Sequence, residues 1–214
     1  EVVVEESEIE EGYVKIIVTR GSDDHNFTIP ARSALQPNVL VYGKPIDLNA
    51  IEKVQSGVNC ITLDDDRGHH CDILSLNQLN NMMARAEAQK KNCYDAVFIK
   101  DGLLTEASHS NVCIVKAGVI WTPATNEHMI RGVTRSLVLT RAAPSAGVTS
   151  IDEASEPVRF EDMMTAEEVF LTNSQDGIIP VLSIDGNPIG GGKVGDVTKK
   201  IQEHYAHLME DGLP

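Results

Sequence analysis

Three short segments of this chain concentrate side chains that can do chemistry, and each borders an apolar run. In Leu103-Leu104-Thr105-Glu106-Ala107-Ser108-His109-Ser110 a carboxylate at a strand end is followed by hydroxyls, an imidazole and backbone N–H groups. Such a loop can bind an anion or a ring nitrogen; it can also be an ordinary solvated hairpin. In Arg131-Gly132-Val133-Thr134-Arg135 a glycine and a threonine stand where a helix opens, and the free N–H groups of a first helical turn suit a phosphate. The plainer reading is a glycine-assisted cap. In Thr172-Asn173-Ser174-Gln175-Asp176-Gly177 hydroxyl and amide donors follow a buried-looking strand. Two donor loops and one carboxylate loop together point to a phosphorylated ligand more than any one of them alone.

Other signals are weaker. His69-His70-Cys71-Asp72 offers metal-binding side chains, but adjacent residues chelate one ion poorly and no second cluster has ligand spacing. No metal site is expected. There is no GxSxG, Walker or GxGxxG pattern, and Gly190-Gly191-Gly192-Lys193 lacks the frame of a P-loop.

Composition bounds the function class. The chain has 214 residues, 42% of them hydrophobic and 23% charged, which suits a globular fold of one to one and a half domains. Aromatic residues are only 4%, so Val, Ile, Leu, Ala and Met must fill the core. Asp plus Glu number 32 against 18 Lys plus Arg, a net charge of −14. That balance repels nucleic acid and anionic membranes, yet leaves room for a small anion in a local basic pocket. No apolar run reaches the roughly 18–20 residues of a membrane span. The first residues show no signal pattern and no initiator methionine, as in a processed, trimmed or partial chain. The four cysteines form no CxxC pair and read as reduced thiols, hence a cytoplasmic location.

The elements that must position these loops follow from periodicity. Tyr13–Thr19, Val39–Tyr42 and Val58–Leu63 read as strands. Leu76, Leu79, Met83 and Ala86 recur at helical spacing, which predicts a helix from Ser75, as N-cap, to about Lys91. Tyr94–Lys100, the strand ending at Thr105-Glu106, Asn111–Lys116 and Val119–Pro123 read as an antiparallel meander with Asp101-Gly102 and Ala117-Gly118 turns. A helix should run from Arg131–Arg135 to Pro144, two strands should cover 168–172 and 178–184, and a last helix 194–209. The class is α+β, with residues 1–50 as a partial small N-terminal domain and 51–214 as a larger mixed α/β pocket domain.

Taken in order, these segments resemble the class IV aminotransferases, the fold type IV pyridoxal-phosphate enzymes, and D-amino-acid transaminases most of all. The likeness runs over nearly the whole chain: GYVKIIVTRG, CDI-SLNQL, ARAEA, CYDAVFIKDGLLTEASHSNV, the GVTR helix start, EVFLTNSQDGIIPV and GGKVGDVTKKIQ. It implies that Glu106 pairs with the pyridine nitrogen and that Arg67 lies near the cofactor's phenolic oxygen. Val133 and Thr134 would hold the phosphate with Asn173 and Ser174. Ser108, His109 and Ser110 would line the ring, and His25 would sit in the substrate-carboxylate loop. It further implies amino- or keto-acid substrates and a homodimer.

Three departures matter. The family's Schiff-base lysine should fall at position 74, which is leucine. Leu74 has no nitrogen to bond the cofactor or move a proton, so transamination should be weak or absent and any pyridoxal phosphate held non-covalently. Leu74 reads as natural divergence, with an engineered substitution as the alternative, because the chain also starts later than the family usually does and has a short substrate loop. That loop, RGSDDHNF, carries Asp23 and Asp24 and has no arginine in the place where D-amino-acid transaminases often carry one for the substrate carboxylate. Two alternatives stand beside this reading. One is a cofactor-independent enzyme using Glu106, His25, His70, His109 and Arg67. The other is a non-catalytic dimer partner.

Overall fold

Alternating β-branched residues make Gly12–Thr19 (β1) a strand, and it pairs antiparallel with Asn38–Pro45 (β2). Ile16 faces Val41 and Val18 faces Val39, cross-strand pairs of the kind that stabilise a ribbon. A short helix, Val2–Glu6 (α1), precedes them. The computed structural model describes residues 2–6, 9–22, 36–148, 150–153 and 156–212. His25, Asp23 and Asp24 lie outside the described residues. The chain forms two compact units, Glu1–Asn49 and Ala50–Pro214. Helix α2 (Leu48–Gln55) begins at the end of the first and continues into the second.

The second unit is built on one mixed sheet. Its strands are Val58–Asp64 (β3), Asp95–Lys100 (β4), Leu103–Ala107 (β5), Asn111–Lys116 (β6), Val119–Trp121 (β7), Ile151–Asp152 (β8), Glu168–Asn173 (β9), Gly177–Ile184 (β10) and Asn187–Pro188 (β11). They lie in the order β5-β4-β3-β10-β9-β6-β7-β8, with β11 on β10. β3 pairs parallel with both β4 and β10. Parallel central strands are covered on both faces, and the run Asp95–Phe98 is accordingly buried throughout.

The helices cover this sheet with chemistry that fits their partners. α3 (Leu79–Lys90) lays Ala84 and Ala88 on Ile61, Ala96 and Phe98; small residues one turn apart let it approach closely. A helical segment from Val133 to Ser145 consists of α4 (Val133–Leu137), a π-helical stretch (Val138–Ala142) and α5 (Ala143–Ser145). It packs with α7 (Asp196–Glu210) on Cys113, Val115, Phe170 and Ile178. The wider turn comes just before Pro144, which has no N–H to offer and cannot take a regular place in the hydrogen-bond ladder. α6 (Phe160–Met164) covers the other cluster, where Val97, Leu104, Val112, Leu171 and Ile179 meet Met163.

Two local expectations are corrected. The helix expected from Ser75 begins at Leu79, because the Ser75 hydroxyl accepts the Asn77 N–H and the Leu76 carbonyl accepts that of Gln78. These tight turns use the donors a helix start would need. Leu76, Leu79, Met83 and Ala86 therefore do not face the core; they are exposed. The meander is also broken. β4–β5 and β6–β7 are hairpins, their turns Asp101-Gly102 (φ 52 and 77°) and Ala117-Gly118 (φ 52 and 73°) both left-handed as a two-residue hairpin requires. β5 and β6 do not pair with each other, because β6 takes β9 as its partner on that side.

One long-range cap ties the last helix to the sheet. The Glu168 carboxylate of β9 accepts the N–H groups of Val197 (3.0 Å) and Thr198 (2.7 Å) and the Thr198 hydroxyl (2.6 Å). It thus stands at the positive end of α7 and satisfies orphan donors there. A side chain at Gly195, the residue before the helix, would collide with Glu168. Glu168→Ala should therefore cost about 1–2 kcal/mol of stability in urea unfolding followed by circular dichroism. Gly195→Ala should destabilise as well, by displacing the same carboxylate.

Candidate functional site

The carboxylate of Glu106 is the centre of the site. Alternation along β5 turns it inward, and the residue is only 4% exposed. One oxygen takes an ion pair from Arg67 Nη1. The other accepts the Ile130 N–H (3.0 Å) and lies 3.4 Å from Asn111 Nδ2. Burial pushes the Glu106 carboxyl up to about 7, more than the Arg67 charge and hydrogen bond pull it down. A group with that proton affinity exchanges its proton near neutrality.

Arg67 is held from several directions. Its Nε and Nη2 donate to the two oxygens of Asp65, each at 2.8 Å, and Nη2 also donates to the His128 carbonyl at 2.9 Å. The guanidinium lies 4.3 Å from the centre of the Phe98 ring. Burial works against its charge, but the two carboxylates outweigh that and hold Arg67 above its ordinary range. The guanidinium does not serve them equally. Burial also pushes Asp65 up, yet hydrogen bonds from Arg67 and Thr105 bring it below the usual carboxylate range, while Glu106 stays above.

Glu106 and Arg67 line a cavity of about 400 Å³, together with His70, Cys71, Ile73 and Ile130 among others. That is the size of a small-ligand pocket. Leu74 lies between two lining residues, Ile73 and Ser75, but does not itself line the cavity and is 75% exposed. No lysine lines the cavity among the described residues.

The other residues marked in the sequence fall into two groups. Val133 and Thr134 open α4 behind Gly132, Val133 exposed and Thr134 buried. Asn111 ties them to Glu106: its Nδ2 donates to the Ile130 carbonyl (2.8 Å), and a side chain at Gly132 would collide with its Oδ1. In the sheet Asn111 stands opposite Thr172, whose hydroxyl is buried without a hydrogen-bond partner. One asparagine therefore joins the carboxylate, the helix start and the β9 end, though the latter two do not line the cavity.

The second group is committed elsewhere. Ser108 donates to Asp95, and Ser110 reaches the same carboxylate at 3.3 Å. Asn173 spends its whole amide: Oδ1 accepts the Gln175 and Asp176 N–H groups, and Nδ2 donates to Tyr94 Oη and Ser110 Oγ, both at 3.1 Å. It organises its loop and has no side-chain donor left over. Ser174 beside it is exposed, as is His109. Asp65, Asn111 and Asp95 were missed by sequence reasoning. The Asp-x-Arg spacing at a strand end was the available signal for Asp65; Asn111 and Asp95 looked like ordinary strand termini.

The donor set can be tested against pyridoxal phosphate. A buried carboxylate whose one cationic partner is divided with Asp65 suits a protonated ring nitrogen. The first-turn N–H groups of Val133 and Thr134, the orphan Thr172 hydroxyl and exposed Ser174 suit a phosphate. By chemical type the set matches the ring and the phosphate, the phosphate donors standing outside the Glu106 cavity, and no lysine lines that cavity among the described residues.

Comparison with known proteins identifies the family and the fold. The family profile for amino-transferase class IV matches residues 1–184. The D-alanine aminotransferase of Staphylococcus aureus (strain N315) is 32% identical over 208 residues, covering 97% of this chain and 72% of the relative. The branched-chain amino acid aminotransferase of Escherichia coli superposes with a TM-score of 0.83 at 23% identity, over 97% of this chain and 68% of that one. The T.th. branched-chain amino acid aminotransferase, in complex with N-(5'-phosphopyridoxyl)-L-glutamate, superposes at 0.79 with 23% identity, over 95% and 66%. At that identity the two structures speak for the shared fold type IV architecture. The profile spans most of the chain, the relative is aligned over nearly all of it, and the chain belongs to the amino-transferase class IV family.

Proposed function

We propose that this chain is a class IV aminotransferase-like protein of the D-amino-acid or branched-chain type, acting on amino or keto acids, in which Leu74 occupies the place of the family's lysine. The observation that carries it is the charge balance around Glu106. Two buried carboxylates, Asp65 and Glu106, share one guanidinium, and the cavity beside them wants one further positive charge. A protonated pyridine ring supplies it. Class IV aminotransferases use pyridoxal phosphate, whose ring draws electrons from an amino group bound at its aldehyde.

Each residue then has a task. Glu106 keeps the ring nitrogen protonated. Arg67 fixes the orientation of Glu106. Val133, Thr134, Thr172 and Ser174 anchor the phosphate, and Asn111 keeps that end in register with the carboxylate. Leu74 offers neither a covalent hold nor a group to move the substrate's α-proton, so ordinary transamination is very weak or absent and the cofactor is held non-covalently. A homodimer belongs to the same reading, as does a reducing, cytoplasmic setting in keeping with four unbridged cysteines. A second reading, a cofactor-independent enzyme, draws support from His70 and Cys71 on the same cavity wall. It predicts turnover of keto acids or small carboxylates that Glu106→Gln abolishes without cofactor present.

Titration of the purified chain with pyridoxal phosphate should give a saturable absorbance change that dialysis reverses and borohydride does not fix. Leu74→Lys should convert it to a covalent, borohydride-fixed adduct and raise half-transamination by several powers of ten. No saturable change in either protein would end the proposal.

The proton affinity of Glu106 also predicts a pH dependence. Its folded value of about 7 lies above the ordinary 4.5, so the folded chain binds the extra proton. The contribution to stability is full below 4.5 and is lost as pH rises to about 7. Thermal melts across that window should show the parent losing stability relative to Glu106→Gln. Cofactor affinity should move the opposite way, tightening as Glu106 ionises.

A further inference from the structure

The pair of Arg67 and Glu106 has a second carboxylate behind it that the proposed chemistry does not use directly. Asp65 is the first residue after β3, and its side chain is 1% exposed. Oδ1 accepts the Arg67 backbone N–H (3.2 Å) and Nε, and Oδ2 accepts Arg67 Nη2 and the Thr105 hydroxyl, both at 2.8 Å. This two-point grip fixes the plane of the guanidinium. Phe98 covers one of its faces and the His128 carbonyl takes a further donor, so Nη1 is aimed at Glu106. Thr105 precedes Glu106 on β5; neighbours in a strand point to opposite faces, and the pair grips Asp65 and Arg67 from two sides.

The groups that face Glu106 are few. The stretch after β3 contributes Asp65, Arg67 and the Cys71 thiol, whose own proton affinity feels the Glu106 charge. β6 contributes neutral Asn111, the loop before α4 the Ile130 N–H, and β4 the Phe98 ring at the back of Arg67. Arg67 is thus the single cation in direct contact with Glu106 among the described residues, and Asp65 takes the larger part of its contacts.

We infer that Asp65 is a positioning residue for Glu106: by gripping Arg67 from behind it makes one guanidinium serve two carboxylates, and Glu106 remains free to share a proton with a ligand ring. With Asp65 neutral, Arg67 would belong to Glu106 alone. Glu106 would then be a fixed anion, locked in an ion pair that a ring nitrogen must compete with. The assignment rests on the reading of Glu106 as the partner of a ring nitrogen.

The test is a pH titration of the ligand-free chain by ¹³C carboxyl NMR, with the Glu106 resonance identified by its loss in Glu106→Gln. Asp65→Asn should lower the Glu106 midpoint by about one pH unit, the size of a nearby-charge effect. Thr105→Val should raise it, because Asp65 loses its hydroxyl donor and leans harder on Arg67. Opposite shifts are the signature, since a mere brace would weaken the fold in both variants without moving the midpoint in opposite directions. An unmoved or raised midpoint in Asp65→Asn overturns the inference. If Asp65→Asn does not fold, Thr105→Val decides: a rise supports it, and no change or a fall overturns it. Pyridoxal phosphate added to the same samples separates the two proposals. Failure to bind removes the cofactor reading and leaves the midpoints standing, whereas binding with unmoved midpoints removes only the role of Asp65.

Discussion

A guanidinium taken out of water has to be met by carboxylates and carbonyls, and the burial of Arg67 imposes that requirement on the whole site. Arg67 brings five N–H donors in a fixed plane and cannot lose its proton. Satisfying it requires Asp65 at the end of β3, Glu106 on β5, the His128 carbonyl in the loop before α4 and a flat ring, Phe98, from β4. These come from separate strands and a distant loop, so the sheet order is part of the site. β3, β4 and β5 must be neighbours for the three charges to meet. Removing one member of such a cluster would leave a buried charge unpaired, which is costly, whereas the complete cluster contributes little net stability. Its value lies in the geometry it enforces.

Most of the fold was legible because it rests on local chemistry. Asp-Gly and Ala-Gly turns, β-branched alternation and an amphipathic last helix each announce themselves in a few residues. The segment from Cys71 to Lys91 was not legible in the same way. Its leucines and methionines recur at helical spacing, yet the buried stripe is made by Ala84 and Ala88. Hydrophobic periodicity records that some face avoids water; it does not say which neighbour covers it. Here close packing on Ile61, Ala96 and Phe98 selects the smallest side chains, and that depends on strands far away in sequence. The meander failed for a related reason: pairing of β6 with β9 bridges more than fifty residues and leaves no local trace.

The site divided along the same line. Glu106, Thr134 and Asn173 could be marked because they sit at strand ends and a helix start, where side chains reach past the backbone. What each does could not be read from its own segment. Asn173 looked like a donor for a ligand, and its side chain is engaged by two N–H groups of the β9–β10 loop and by Tyr94 and Ser110 beyond it. Asn111 looked like the first residue of a strand, and its amide links the carboxylate to the helix start. Both are asparagines at strand termini; only the surrounding partners separate an organiser of one loop from a link between two halves of a site.

The same electrostatics bears on position 74. An amine beside this cavity would add a positive charge to a cluster in which acids already outnumber bases. A leucine leaves that imbalance in place and puts hydrocarbon on an exposed stretch. On the proposed reading a ligand retained here supplies the missing charge itself and is held by contacts that dissociate. Occupancy then follows mass action: the bound state gains stability with the logarithm of free ligand concentration. A covalently anchored cofactor resists dilution, whereas one held through Glu106 and a helix start does not. On the proposed reading a cofactor bound here is an exchangeable ligand, and its hold depends on the protonation of Glu106.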